Sequence, residues 1–261
     1  MKPFAVYAIR YAHREASVRG EHFYRGDARP NDPYPIDYFV WAAVSPEAAV
    51  VVDAGFTPET AKRRGNRDYL QSPMDTLRRL GVEAQSVEHL VITHLHYDHV
   101  GHVGDFPAAR VLVQQSEYDF WTGPYATRGE YGHLHEREDI AYLRENIASG
   151  RVRLLDGDFT VVPGVTLHLL GGHTQGLQVV RVRTAAGHVV LASDASHFYE
   201  NIGSDRPYSI VDHLPSMYRA FDRIRELADA EELIVPGHDP AVLKRFPAAA
   251  PALAGLAVRV A

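Results

Sequence analysis

A chain of 261 residues, 46% apolar and 23% charged, has the make-up of an ordinary globular protein. Its formal charge of −6 arises from interspersed acids and bases with no basic tract, which argues against nucleic acid and anionic membrane as partners. No apolar run reaches membrane-spanning length, and residues 1–10 hold too short an apolar core for a secretory signal, so a cytoplasmic protein is expected. The absence of cysteine removes disulfides, thiolate ligands and a thiol nucleophile.

Residues 4–10 read as a strand. The stretch from about 13 to 37 is rich in Arg, Gly, Pro and Asp, interleaved with Phe23, Tyr24 and Tyr34. It reads as a long loop that packs over the mouth of a site. Residues 38–44 and 48–53 form a hairpin across Ser45-Pro46-Glu47. Ser72, Pro73 and Gly81 punctuate a helix as N-cap, first turn and stop. Apolar β-formers over 88–93 predict a strand running into His94, and 110–114 predict another, with a helix from about Ser116. Residues 122–135 form a second loop insertion. Over 136–149, Ile140, Leu143 and Ile147 fall on one helical face.

The second half is strand-dense. Residues 159–162 and 165–170 flank Pro163-Gly164, and 177–184 and 188–192 flank Ala185-Ala186-Gly187. A helix over about 215–228 carries Met217, Phe221, Ile224 and Leu227 on one stripe, and 232–235 is a last buried strand. The tail from Ala248 shows no pattern. Two features repeat: a hairpin strand ending in Asp53 or Asp194, and a later buried strand leading to His94 or His238. Two β-rich halves packed face to face with helices outside make an α+β fold. It is a four-layer αββα sandwich of two mixed β-sheets flanked by helices, in a single domain over 1–261.

The chemistry concentrates in His94-Leu95-His96-Tyr97-Asp98-His99, directly after the apolar run Leu90-Val91-Ile92-Thr93. Residues two apart at a strand's end share a face, so His94 and His96 can aim at one point, while Asp98 and His99 face a second. Imidazoles and a carboxylate without sulfur suit zinc, and also accept iron, manganese or cobalt. Three further groups each follow an apolar strand: His173 in Gly171-Gly172-His173-Thr174, Asp194 in Ser193-Asp194-Ala195, and His238 in Gly237-His238-Asp239. His133 and His135 form another His-x-His pair, but with no strand before it and no Asp-His after it they read as non-ligating.

This ordered series resembles the metallo-β-lactamase superfamily of hydrolases, and the long N-terminal loop and chain length look closest to its N-acyl homoserine lactonase branch. The resemblance covers nearly the whole chain. It implies that His94, His96 and His173 hold a first zinc, that Asp98, His99 and His238 hold a second, and that Asp194 bridges two Zn2+ per chain. It further implies a quorum-quenching type of activity, in which a bridging hydroxide opens a lactone ring and Asp98 carries a proton to the leaving oxygen. The alternative on the same centre is hydrolysis of another ester, a thioester or a phosphoester; a non-enzymatic, metal-stabilised binding protein is the weakest reading.

One position departs from the family. Homoserine lactonases place a tyrosine three residues after the bridging aspartate, where this chain has His197, a candidate oxyanion donor. Asp53 is the expected outer partner of a ligating imidazole. Trp41, Trp121 and the aromatic loops are candidates for a homodimer surface.

Overall fold

The computed structural model describes residues 2–261. The first sheet takes in β1 (Ala5–Arg14), β2 (Ile36–Val44), β3 (Ala49–Val52), β4 (Asp68–Tyr69), β5 (His89–Val91), β6 (Arg110–Gln114) and β7 (Val152–Leu155). The second consists of β8 (Phe159–Val162), β9 (Val165–Leu169), β10 (Gln178–Thr184), β11 (Gly187–Ser193) and β12 (Ile234–Pro236). The last strand, β13 (Ala257–Arg259), returns to the first sheet. Strand orders are β13-β1-β2-β3-β5-β6-β7, with β4 also on β1, and β12-β11-β10-β9-β8. Helices α1 (Pro58–Arg64), α2 (Pro73–Arg79), α3 (Tyr97–Val100), α4 (Gln115–Trp121) and α5 (Arg137–Glu145) belong to the first half. Helices α6 (Tyr199–Gly203), α7 (Leu214–Leu227) and α8 (Val242–Arg245) belong to the second. Among the described residues no helix is long and apolar enough to cross a membrane.

The period-two alternation of the strands creates the layers. In β2, Phe39, Trp41 and Ala43 face the second sheet, while Tyr38, Val40 and Ala42 face the opposite way into the helix-side core. In β11, Val189 and Leu191 meet the first sheet, and Val190 and Ala192 pack under Met217, Phe221 and Ile224 of α7. Apolar residues on both faces of both sheets require cover on both sides, and the result is the expected αββα sandwich.

Three expectations change. The tail is not patternless, because β13 pairs antiparallel with β1 through Tyr7–Arg259, Ala8–Val258 and Ile9–Ala257. The first strand runs on to Arg14, its register shifting between Arg10 and Ala12. Neither tryptophan supplies a dimer surface: Trp41 is fully buried between the sheets, and Trp121 is buried against His96, their ring centroids 5.4 Å apart.

The stretch from 13 to 37 packs inward, as its aromatics require. Arg19 pairs with Asp27 at 2.9 Å and with Glu200 of α6 at 2.6 Å, and lies over the rings of Phe23 and Tyr34. His22, fully buried, donates to the Tyr34 carbonyl (3.0 Å), and the Tyr208 hydroxyl lies 3.4 Å from its other ring nitrogen. Burial lowers the His22 pKa to about 4. The unfolded chain therefore takes up a proton below about pH 6.5 that the native state refuses, so stability falls between pH 6.5 and 4 and levels off below that. This slope amounts to about 3 kcal/mol in all. A His22→Phe protein is expected to show a correspondingly shallower acid dependence of Tm, measured by calorimetry against the unsubstituted chain.

Candidate metal centre

β3 and β5 run parallel, as do β11 and β12, and the residues leaving these four strands meet at one edge of the sandwich. Asp53 follows β3, His94 and His96 follow β5, Asp194 and His197 follow β11, and His238 follows β12. β5 ends at Val91, so His94 and His96 sit on the turn beyond the strand rather than in it. That turn is tied to the second sheet, the Thr93 carbonyl accepting from Gln178 N–H at 3.0 Å. Asp98 and His99 lie on the single turn of α3. His173 lies between β9 and β10, after Gly172, whose φ of +100° and close approach to Met217 exclude a side chain. A Cβ at Gly237 would fall 2.9 Å from Asp194 Oδ1, so glycine lets the His238 turn close onto that carboxylate.

All seven expected ligands are buried and converge. His94, His96, His173 and Asp194 bring one ligand atom each to within 4.8 Å of one another, and Asp98, His99 and His238 do the same. Asp194 faces both sets. Its Oδ2 lies 3.6 Å from His94 Nε2 and 3.3 Å from His173 Nε2, while its Oδ1 lies 3.5 Å from His99 Nε2 and 3.0 Å from His238 Nε2. His96 Nδ1 is 3.0 Å from His173 Nε2, and Asp98 Oδ2 is 3.6 Å from both His99 and His238 Nε2. Three of the other imidazole nitrogens are engaged outward. His99 Nδ1 meets Asp53 at 2.7 Å, His173 Nδ1 the Ile210 carbonyl at 2.9 Å, and His238 Nδ1 the Asp37 carbonyl at 2.9 Å. Asp53 in turn accepts from Thr93 N–H and hydroxyl, so the outer partner expected from the sequence is in place.

The chemistry of this donor set fits metal. The inward Nε2 atoms of His94 and His99 are buried with no hydrogen-bond partner, a costly state for a ring nitrogen with nothing to bind. Burial holds His94 and His96 well below the usual imidazole pKa, in the neutral form that ligates. Burial pushes the Asp194 pKa up, but the surrounding imidazoles outweigh it and keep the carboxylate ionised. Five imidazoles and two carboxylates form an N/O set of the zinc, iron, manganese or cobalt type. His133 and His135 join no such group among the described residues.

His197 lies 3.0 Å from Asp194 Oδ2 through Nε2, and its ring stacks on Tyr208 with centroids 3.4 Å apart and planes 6° from parallel. His22 of the N-terminal loop also packs on Tyr208, with ring centroids 5.7 Å apart, and so links that loop to the site. Two contributors were not legible in the sequence. Tyr208 sits in an irregular segment and belongs to no motif. Glu117, on α4, is fully buried; it accepts from Leu95 N–H (2.9 Å), Gly176 N–H (2.7 Å) and Trp121 Nε1 (2.7 Å). It thereby buckles the His94–His96 turn to the His173 loop.

Two cavities open from the centre. The larger, about 790 Å3, starts at His96 and His173 and is walled by Phe120, Trp121, Tyr125 and Tyr131. The smaller, about 200 Å3, lies over Asp98, Asp194 and His238.

The family model for the metallo-beta-lactamase superfamily matches residues 35–238, a span that contains all seven converging candidate ligands. The chain belongs to that superfamily. Within the superfamily it is similar to a Bacillus sp. N-acyl homoserine lactonase, 28% identical over 222 residues that cover 78% of this chain and 82% of the relative. It is also similar to the Rhizobium radiobacter N-acyl homoserine lactonase AttM, 26% identical over 81% of this chain and 84% of the relative. Among solved structures, a quorum-quenching N-acyl homoserine lactone hydrolase superposes with a TM-score of 0.71 at 25% identity, covering 93% and 95% of the two chains. Another N-acyl homoserine lactone hydrolase, with N-hexanoyl-L-homoserine bound at its catalytic metal centre, gives a TM-score of 0.73 at 23% identity, covering 95% and 98%.

Proposed function

We propose that this metallo-β-lactamase superfamily member is a dinuclear zinc hydrolase that opens the ring of a lactone. The observation that carries this reading is the Asp194 carboxylate, which turns one oxygen toward each of two complete sets of ligands. His94, His96 and His173 would hold the first ion and Asp98, His99 and His238 the second, with Asp194 shared. Two such ions supply a water acidified toward neutral pH and a Lewis acid for the ester carbonyl.

The chain's own groups do the rest. The aromatic cleft beside His96 and His173 accommodates an acyl chain and keeps water from the far side of the ester. Water adds to the carbonyl carbon, the bond to the ring oxygen breaks, and the products are a carboxylate, an alcohol and one proton. Asp98, at the floor of the smaller cavity, is the carrier that takes the proton from water and delivers it to the leaving oxygen. For His197, the contact to Asp194 uses Nε2. An Nε2–H donated there leaves Nδ1 without a proton, so in that tautomer the residue steadies the shared carboxylate rather than donating to an oxyanion. The relatives named as acyl homoserine lactonases make acyl homoserine lactones the first substrates to assay.

The test is proton release in a pH-stat with zinc-loaded protein and a panel of lactones, p-nitrophenyl esters and thioesters. One proton per lactone ring opened, with slower cleavage of the open-chain esters, is the expected result. Thioester cleavage with inert lactones would move the assignment to the other ester chemistry, and no hydrolysis of any member would refute it.

A further inference from the structure

The smaller cavity is lined by three arginines brought from distant parts of the chain: Arg14 at the end of β1, Arg64 at the end of α1, and Arg67 just before β4. The only carboxylates in its wall are Asp98 and Asp194, both assigned above as ligands, so neither is free to balance a guanidinium. Arg64 is spent elsewhere, on Glu136 at 2.7 Å and on the carbonyls of His133 and His135. Arg67 is not. Its Nε donates to the Tyr97 hydroxyl at 3.0 Å and its Nη1 to the Gly65 carbonyl at 2.9 Å; these two bonds anchor it. Its Nη2 has no acceptor among the described residues, and no carboxylate there lies within ion-pair distance. Arg14 reaches Glu21 with Nη2 alone, and its buried Nε has no partner.

A guanidinium carries five N–H donors in a planar fork that matches a carboxylate. Arg67 keeps Nη2, and Arg14 keeps its buried Nε, without an acceptor among the described residues, and an anion entering the cavity can accept from them. The bland account is that Arg67 merely pins Tyr97, over whose ring it lies at 5.5 Å. That account leaves the remaining Nη2 of Arg67 and the idle Nε of Arg14 without a purpose. We propose that the smaller cavity binds a carboxylate of the substrate, so that the preferred lactone is an anionic one, with its carboxylate on Arg67 and Arg14 and its apolar part in the aromatic cleft. Its volume of about 200 Å3 admits a carboxylate and the adjoining ring but no extended group. This inference deepens the lactonase reading and rests on it for the identity of the ring.

The experiment uses zinc-loaded protein and two ring ethers that have no ester to cleave, tetrahydrofuran-2-carboxylate and tetrahydrofuran-2-carboxamide, with Kd measured by calorimetric titration. The carboxylate is expected to bind roughly ten- to hundredfold more tightly than the amide. Arg67→Gln is expected to erase most of that preference, and Arg67→Lys, which keeps the charge but loses the fork, to weaken the carboxylate severalfold. Arg78→Gln, an exposed arginine paired with Asp75 outside the cavity, should bind like the unsubstituted protein. Equal affinity for the two ethers, or carboxylate binding unchanged in both Arg67 variants, would overturn the proposal; so would an equal loss in Arg78→Gln, which would show a general field rather than a pocket. Because neither probe turns over, inert lactones in the pH-stat strike the reaction assigned above, whereas equal affinities strike the anion pocket alone.

Discussion

An Asp194→Asn protein is expected to hold fewer than two metal ions per chain and to lose at least about a thousandfold in kcat/KM, the equivalent of about 4 kcal/mol of transition-state stabilisation. The reason is local. Asp194 is buried, and each of its oxygens lies between 3.0 and 3.6 Å from histidine nitrogens of a different set. An asparagine preserves the shape but replaces one oxygen with an NH2 that cannot ligate, and it removes the charge that neutral imidazoles cannot supply. One set of ligands therefore becomes incomplete. His197 also loses an acceptor, since its Nε2 lies 3.0 Å from this carboxylate. Metal content by atomic emission and turnover of the best panel substrate check the two halves of this expectation independently. Full metal content with full activity would show that the shared position is not Asp194.

Glu117→Ala is expected to produce the largest loss of stability of any single change near the site, about 4 kcal/mol, or a fall in Tm of roughly 10 °C. Three buried donors, the N–H groups of Leu95 and Gly176 and the indole of Trp121, would be left without an acceptor. The loss spreads to the metal centre: Leu95 stands between His94 and His96, and Gly176 follows His173 by three positions, so both ligand loops slacken together. Glu117→Gln keeps one acceptor oxygen and should recover part of the stability. Calorimetry of the two variants, with and without zinc, separates the buckle's role in the fold from its role in holding ligands. A Glu117→Ala protein that melts like the unsubstituted chain would contradict the assignment.

The residues that converge as candidate metal ligands could be singled out in the sequence because their chemistry is unusual for their setting. A histidine or aspartate directly after an apolar run is costly unless something binds it, and His94, His173, Asp194 and His238 each stand in that position. Asp53 was legible by symmetry with Asp194, since both end the second strand of a hairpin. Glu117 was not, because a lone glutamate early in a helix looks like ordinary helix-start polarity, and only the folded chain brings its three donors to it. The arginines of the smaller cavity were equally hidden: Arg14, Arg64 and Arg67 come from three separate elements, and nothing local distinguishes them from solvated charge. Trp41 and Trp121 misled because size and apolarity suit a core and an interface equally well. The alternation of Phe39, Trp41 and Ala43 against Tyr38, Val40 and Ala42 settles Trp41 in favour of the core. β13 escaped because three residues of an Ala- and Val-rich tail carry too little alternation to mark a strand, whose place is set by pairing with β1.

The central claim is that two ions share Asp194. Its most direct test is the metal stoichiometry of the protein after zinc loading and removal of excess metal, with the zinc environment read by X-ray absorption. Two zinc ions per chain, ligated by nitrogen and oxygen and with a zinc–zinc scattering path, is the predicted result. A single ion, or two with no such path, would contradict it.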